Sequence, residues 1–145
     1  MMFTNFLVGL PIMLLCLVIQ ATVAFWCVRY YIHRMKRVAG KQHMHTGLLP
    51  LMVAMVAMML GTLVQLTLWG VLFVWLGEFT ELYEAVYHSA VNFASLGYGD
   101  VVMHKQWKML GPLEAINGVL MLGMNAGALM AIVQHMIKVQ LRKEQ

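Results

Sequence analysis

Apolar residues come in three long runs along the chain, and the polar residues collect between them. Phe6–Ile32 is the first run, 27 residues with Arg29 as its single charge. Leu48–Leu76 is the second, 29 residues with no charge and with Gln65 as its most polar side chain. Leu113–Ile137 is the third, 25 residues with Glu114 as its one acid. A bilayer core of about 30 Å needs about 20 helical residues, so each run predicts a spanning helix. At ~1.5 Å per residue the second would be about 43 Å long, and it should tilt or protrude. Trp69 and Trp75 lie toward its far end, where aromatic side chains favour the membrane–water interface.

A cleavable leader competes for the first run, with Thr22-Val23-Ala24 as its processing site. No basic residue precedes that run, however, and it continues through Phe25-Trp26-Cys27-Val28, which favours a retained helix. Composition points the same way. Hydrophobic residues make up 61% of the 145-residue chain and charged residues 11%, against roughly 25% charged in soluble domains. A soluble fold of this size has no way to hide so much apolar surface, and the length allows one domain.

The connections differ in charge. His33–His45 holds Arg34, Lys36, Arg37 and Lys41 and no acid. Gly77–Gly111 holds Glu78, Glu81, Glu84 and Asp100 against Lys105 and Lys108. Lys138, Arg142 and Lys143 follow the third run, so eight of the ten Lys and Arg fall in or beside the first connection and the C-terminal end. The positive-inside rule then places those two segments in the cytoplasm and the N-terminus outside, as a multi-pass protein of the plasma (inner) membrane. Within the acidic connection, Thr80 is the expected N-cap of a helix over about Glu81–Phe93, with Glu81 and Glu84 in its first turns. That helix is too short to span, so it reads as re-entrant. The segment after it, Ser95-Leu96-Gly97-Tyr98-Gly99-Asp100, carries two glycines, which admit positive φ without steric cost. Non-helical backbone at membrane depth is tolerated only where protein buries it or it lines a water-filled path.

Ser95-Leu96-Gly97-Tyr98-Gly99-Asp100 resembles the Thr-Val-Gly-Tyr-Gly-Asp filter of the pore-loop potassium channels. The resemblance covers about residues 48–137 as outer helix, pore helix, filter and inner helix. It implies an all-α membrane protein with three transmembrane helices, a re-entrant pore helix and an extended filter, assembled as a homotetramer. The expected organisation is an N-terminal helix and basic loop over 1–46, a pore domain over 47–138 and a short tail over 139–145. The implied activity is passage of K+ down its gradient, with the ion's hydration shell replaced by carbonyls of Ser95, Leu96, Gly97, Tyr98 and Gly99. K+ would sit at Ser95, Leu96, Gly97 and Tyr98, as permeant ion rather than cofactor, and no cofactor is expected. Lipids and other copies of the chain are the implied partners, and nucleic acid is not one. Tyr87 and His88 stand where the family often has two aromatics, and with Asp100 and Glu114 they are the candidate filter supports. Tyr98 should turn its ring away from the ion toward Tyr87, and Asp100 should accept a hydrogen bond from Tyr87 or a water. The pattern departs from the family at Ala94-Ser95, where two threonines are usual, at Leu96 for valine and at Asn92 for threonine. A weakly selective monovalent cation channel and a non-conducting assembly or regulatory subunit are therefore the alternatives.

Other polar and small positions admit two readings each. Gly118 and Gly123 are candidate hinges of the inner helix, while Gly123-x-x-x-Gly127 is equally a helix-contact pattern. Asn117 and Asn125 face either a wet cavity or a neighbouring helix. Cys16 and Cys27, three turns apart on one helix, and the 15 methionines read as packing residues. His33, His43 and His45 read as solvated loop residues, with metal or proton binding at His43-x-His45 the lesser alternative. The first helix lacks the repeated arginines of a voltage sensor. No His-Glu-x-x-His or Cys/His ligand set points to an enzyme, and none is expected.

Overall fold

Lipid offers no hydrogen bonds, so a spanning chain must satisfy its backbone internally, and each apolar run does so as one helix. The computed structural model describes residues 2–37 and 45–141. Over these residues it is all-helical: α1 (Met2–Arg37), α2 (His45–Trp75), α3 (Leu82–Phe93) and α4 (Leu110–Leu141). Three stretches are long and apolar enough to cross a membrane: Met2–Met35, Leu48–Trp75 and Leu110–Val139. The helices overrun the apolar runs, because nothing in the flanks breaks them. α1 continues past Ile32 through His33, Arg34 and Arg37, so these three are helical and not loop residues. Lys41, His43, Arg142 and Lys143, and the side chain of His45, lie outside the described residues.

α1 buries one seam: Asn5, Gly9, Met13, Cys16, Gln20, Ala24, Cys27, Tyr31 and Met35. The spacing, two steps of four residues for each step of three, keeps these positions on one face of a helix. That face packs chiefly against α4 and α2, so the N-terminal helix is an integral wall of the protomer. Two apolar clusters result. One joins Cys16, Trp69, Phe73, Phe93, Leu110 and Met121. The other joins Cys27, Tyr31, Ala54, Met58 and Ile132. Both cysteines are free and buried.

Between the clusters runs a ladder of amides. Gln65 Nε2 donates to Gln20 Oε1 at 2.6 Å, and Gln20 Nε2 donates to Asn125 Oδ1. Gln20 and Gln65 are fully buried. One polar side chain from each of the three spans thus serves its neighbours, two of them out of reach of water. Asn125 is half-buried and makes an interhelical contact.

The short helix α3 packs against α2 and α4. Close approach is possible because each of those helices presents a glycine to it. A Cβ at Gly70 would lie 2.7 Å from Val86 Cγ2 and 3.1 Å from the Val86 nitrogen. A Cβ at Gly118 would lie 2.7 Å from the Phe93 carbonyl carbon, 3.0 Å from its Cα and closer still to its oxygen. Gly118 is therefore the seat of the α3 C-terminus, and that close contact is one reason for a glycine there.

Candidate functional site

α3 begins at Leu82 with Glu81 as its N-cap, in extended conformation (φ −110°, ψ 133°) and with no capping bond from its side chain. Thr80 is not the cap: the chain enters the helix one residue later, and Glu84 is the acid in its first turn. The other end is more informative. Ser95 N donates to Asn92 O at 2.8 Å and Leu96 N donates to Val91 O at 2.9 Å. These two bonds, with Ala94 as C-cap, make a Schellman motif, whose residue just past the cap must adopt a left-handed conformation. That residue is usually glycine, and here it is Ser95 with φ 56°. Only Ser95 among the described non-glycine residues has positive φ.

The left-handed cap starts an alternation. Ser95 (φ 56°), Gly97 (φ 60°) and Gly99 (φ 75°) are positive, while Leu96 and Tyr98 between them are not. Alternating hand from residue to residue turns successive peptide planes the same way, gathering N–H groups on one edge and carbonyls on the other. A Cβ at Gly97 or Gly99 would meet nothing within 4 Å in the single chain, so their left-handed backbone is what calls for glycine. Residues 94–100 are all exposed in the protomer, including Tyr98 at 66%. The Tyr98 ring makes no ring pairing with Tyr87 within one chain.

Side chains from three helices brace this loop. Tyr87 Oη donates to Asp100 Oδ2 at 2.7 Å, and Val101 N donates to Asp100 Oδ1 at 3.0 Å. The Tyr87 hydrogen bond holds the Asp100 carboxyl below the usual carboxylate range, and the same bond pushes the Tyr87 phenol up. His88, buried one position on, sits between the rings of Phe79 (5.2 Å) and Phe73 (5.7 Å), with its Nε2 2.9 Å from Asn92 Nδ2. Glu114 of α4 is fully buried and reaches both Ser89 Oγ and Asn92 Nδ2, the latter at 3.4 Å. Ser89 Oγ is also 3.0 Å from Leu66 O of α2. One hydroxyl proton faces two acceptors. Ser89 thus links Glu114 of α4 to the α2 backbone.

Tyr87, His88, Asp100 and Glu114 are thus all around α3 and the loop that leaves it. Gly118 supports the same place from behind, through Phe93. Gly123 and Gly127 do not join them: both are exposed, with nothing within 4 Å of a Cβ. Asn117 is fully buried against Cys16. Ser89 and Gln20 were not legible as site or coupling residues from their types alone. The available signal was physical, since an uncharged polar side chain inside an apolar run needs a partner.

A family model described as "Ion channel" matches residues 57–135, more than half of the chain. The chain belongs to this ion channel family. The matched span begins within α2, takes in α3 and the loop with alternating φ, and ends within α4. α1 lies outside the matched span. No curated relative and no solved structure matches the chain.

Proposed function

We propose that this ion channel is potassium-selective and that four copies surround one pore. The alternation of φ from Ser95 to Gly99 carries the reading. Such a strand offers a row of carbonyl oxygens along one edge, and a ring of four such rows can replace the water around a K+ ion. Ser95, Leu96, Gly97 and Tyr98 supply the coordinating carbonyls, Ser95 adds its hydroxyl, and Gly99 makes the last turn. The exposure of residues 94–100 supports assembly, because irregular backbone at this depth needs protein or water on its open side. The α3 dipole ends at Phe93 and favours a cation in the cavity beneath the filter.

The supports divide the work. Asp100 and Tyr87 tie the outer end of the filter to the pore helix. Glu114, Ser89 and Asn92 tie the pore helix to α2 and α4, and Gly118 fixes its depth. With Gly118 held by the Phe93 contact, Gly123 is the freer point for α4 to bend. A structure of the assembly in K+ tests the proposal: ion density is expected on a four-fold axis beside Ser95–Tyr98. A lower-order assembly, or a filter that stays empty in saturating K+, would refute it.

A further inference from the structure

One face of α1 changes character along its length. Ile19, Thr22, Val23 and Trp26 follow helical spacing and, with Leu60 and Val64 of α2, wall an open groove of about 490 Å³. The hydroxyl in this stretch is already satisfied, since Thr22 Oγ1 donates to Val18 O at 2.7 Å. The wall is otherwise hydrocarbon. Trp26 also belongs to the next recess, about 260 Å³, lined with Arg29, Tyr30 and His33. Arg29 and His33 in turn face a third recess of about 430 Å³ on their other flank. An apolar groove and a cationic recess thus adjoin at Trp26.

The cationic end has no acidic partner among the described residues. Arg29 and His33 are exposed, and neither pairs with a carboxylate among the described residues. The first acid of the chain is Glu78, beyond the far end of α2. Arg34 and Arg37 follow on the next turns, both exposed. Trp26 and Tyr30 stack in parallel, 6.2 Å between centroids and 5° between planes, and form a flat wall beside Arg29. Such rings favour the headgroup level. The distances fit a lipid as well. From Ile19 to Cys27 the groove runs about 12 Å at ~1.5 Å per residue, close to half of a ~30 Å core.

We propose that this face of α1 is a binding site for an anionic phospholipid. One acyl chain lies in the α1–α2 groove and the phosphate lies between Arg29 and His33. The glycerol region rests on the Trp26–Tyr30 pair. A zwitterionic lipid fills the groove equally well, but its cationic headgroup meets Arg29, Arg34 and Arg37. The site therefore discriminates by headgroup charge. It rests on the membrane fold and not on the ion that permeates.

The test is lipid retention by the full-length protein in detergent, read by native mass spectrometry. Phosphatidylglycerol and phosphatidylcholine are supplied in equal amounts, and melting is followed with each. Wild type is expected to retain phosphatidylglycerol preferentially, by about fivefold, the effect of a single basic residue near a charged headgroup. The double variant Arg29→Gln, His33→Gln should lose the preference, and Val64→Trp, which fills the groove, should lower retention of both lipids. Inorganic phosphate should shift neither melting nor lipid retention. A wild type with no preference, or a double variant that keeps it, overturns the proposal. So does phosphate reproducing the lipid's effect, which marks a site for free anions. A double variant that changes the mass of the assembly but not the lipid preference shows a contact between copies, and also overturns it.

Discussion

Two glycines on α4 should respond in opposite ways to the same methyl group. At Gly118 a Cβ would stand 2.7 Å from the Phe93 carbonyl carbon, where carbon atoms prefer about 3.5–4.0 Å. Backbone cannot rotate away as a side chain can, so α3 and α4 must separate by about 1 Å. Overpacking of this kind costs about 1–3 kcal/mol. The displacement matters more than the energy, because Phe93 is two residues from Ser95 and a working site tolerates only about 0.5 Å. At Gly123 nothing lies within 4 Å of a Cβ. Alanine there gains helix propensity, up to about 1 kcal/mol in the single chain. Gly118→Ala should therefore lower the melting temperature of the purified protein and abolish ion flux in vesicles. Gly123→Ala should leave melting unchanged or raised. Equal melting and equal flux for the two variants would refute the claim that Gly118 seats the pore helix.

Gln20→Leu removes the middle rung of the amide ladder and should destabilise by about 1–2 kcal/mol, since interhelical hydrogen bonds in membranes contribute about 0.6 kcal/mol each and at most about 1.7; an unchanged denaturation midpoint would mean the ladder holds nothing together. Glu114→Gln should be tolerated, because a carboxamide keeps an oxygen acceptor and a hydrogen-bonding partner for Ser89 and Asn92, whereas Glu114→Leu leaves both without one and should cost about 1–3 kcal/mol; a Glu114→Gln variant that melts lower than Glu114→Leu would refute this role. Asp100 titrates below its ordinary range, so its support is present above that range and is lost as pH falls through the lowered value. Tyr87→Phe removes the main cause, and the acid limb of the flux–pH curve should move to higher pH; a curve that does not move would separate Asp100 from filter support.

Patterning reveals what lipid demands and hides what a single contact decides. The three spans are legible because about 20 apolar residues in a row have no other stable use. Their ends are less so: α1 runs on through Arg34 and Arg37, since charged residues with good helix propensity do not stop a helix. Thr80 has the better capping side chain, yet Glu81 takes the position, set by how α3 packs on α2. Gly97 and Gly99 announce their backbone by being glycine, while Ser95 conceals the same left-handed geometry. Gly118 and Gly123 look alike in a helix, and only the approach of Phe93 tells a seat from a free position. Gln20 could be placed on a helix but not paired, because its partners lie 45 and 105 residues away.

Potassium and sodium flux into vesicles, compared for wild type, Gly97→Ala and Gly99→Ala, tests the central claim most directly. Alanine at either position must hold left-handed φ, which costs roughly 1–3 kcal/mol for each strained residue. Helices and assembly should survive in both variants. Wild type should pass potassium over sodium, and both variants should lose selective flux. Selective potassium flux undiminished in both would contradict a filter built on these carbonyls.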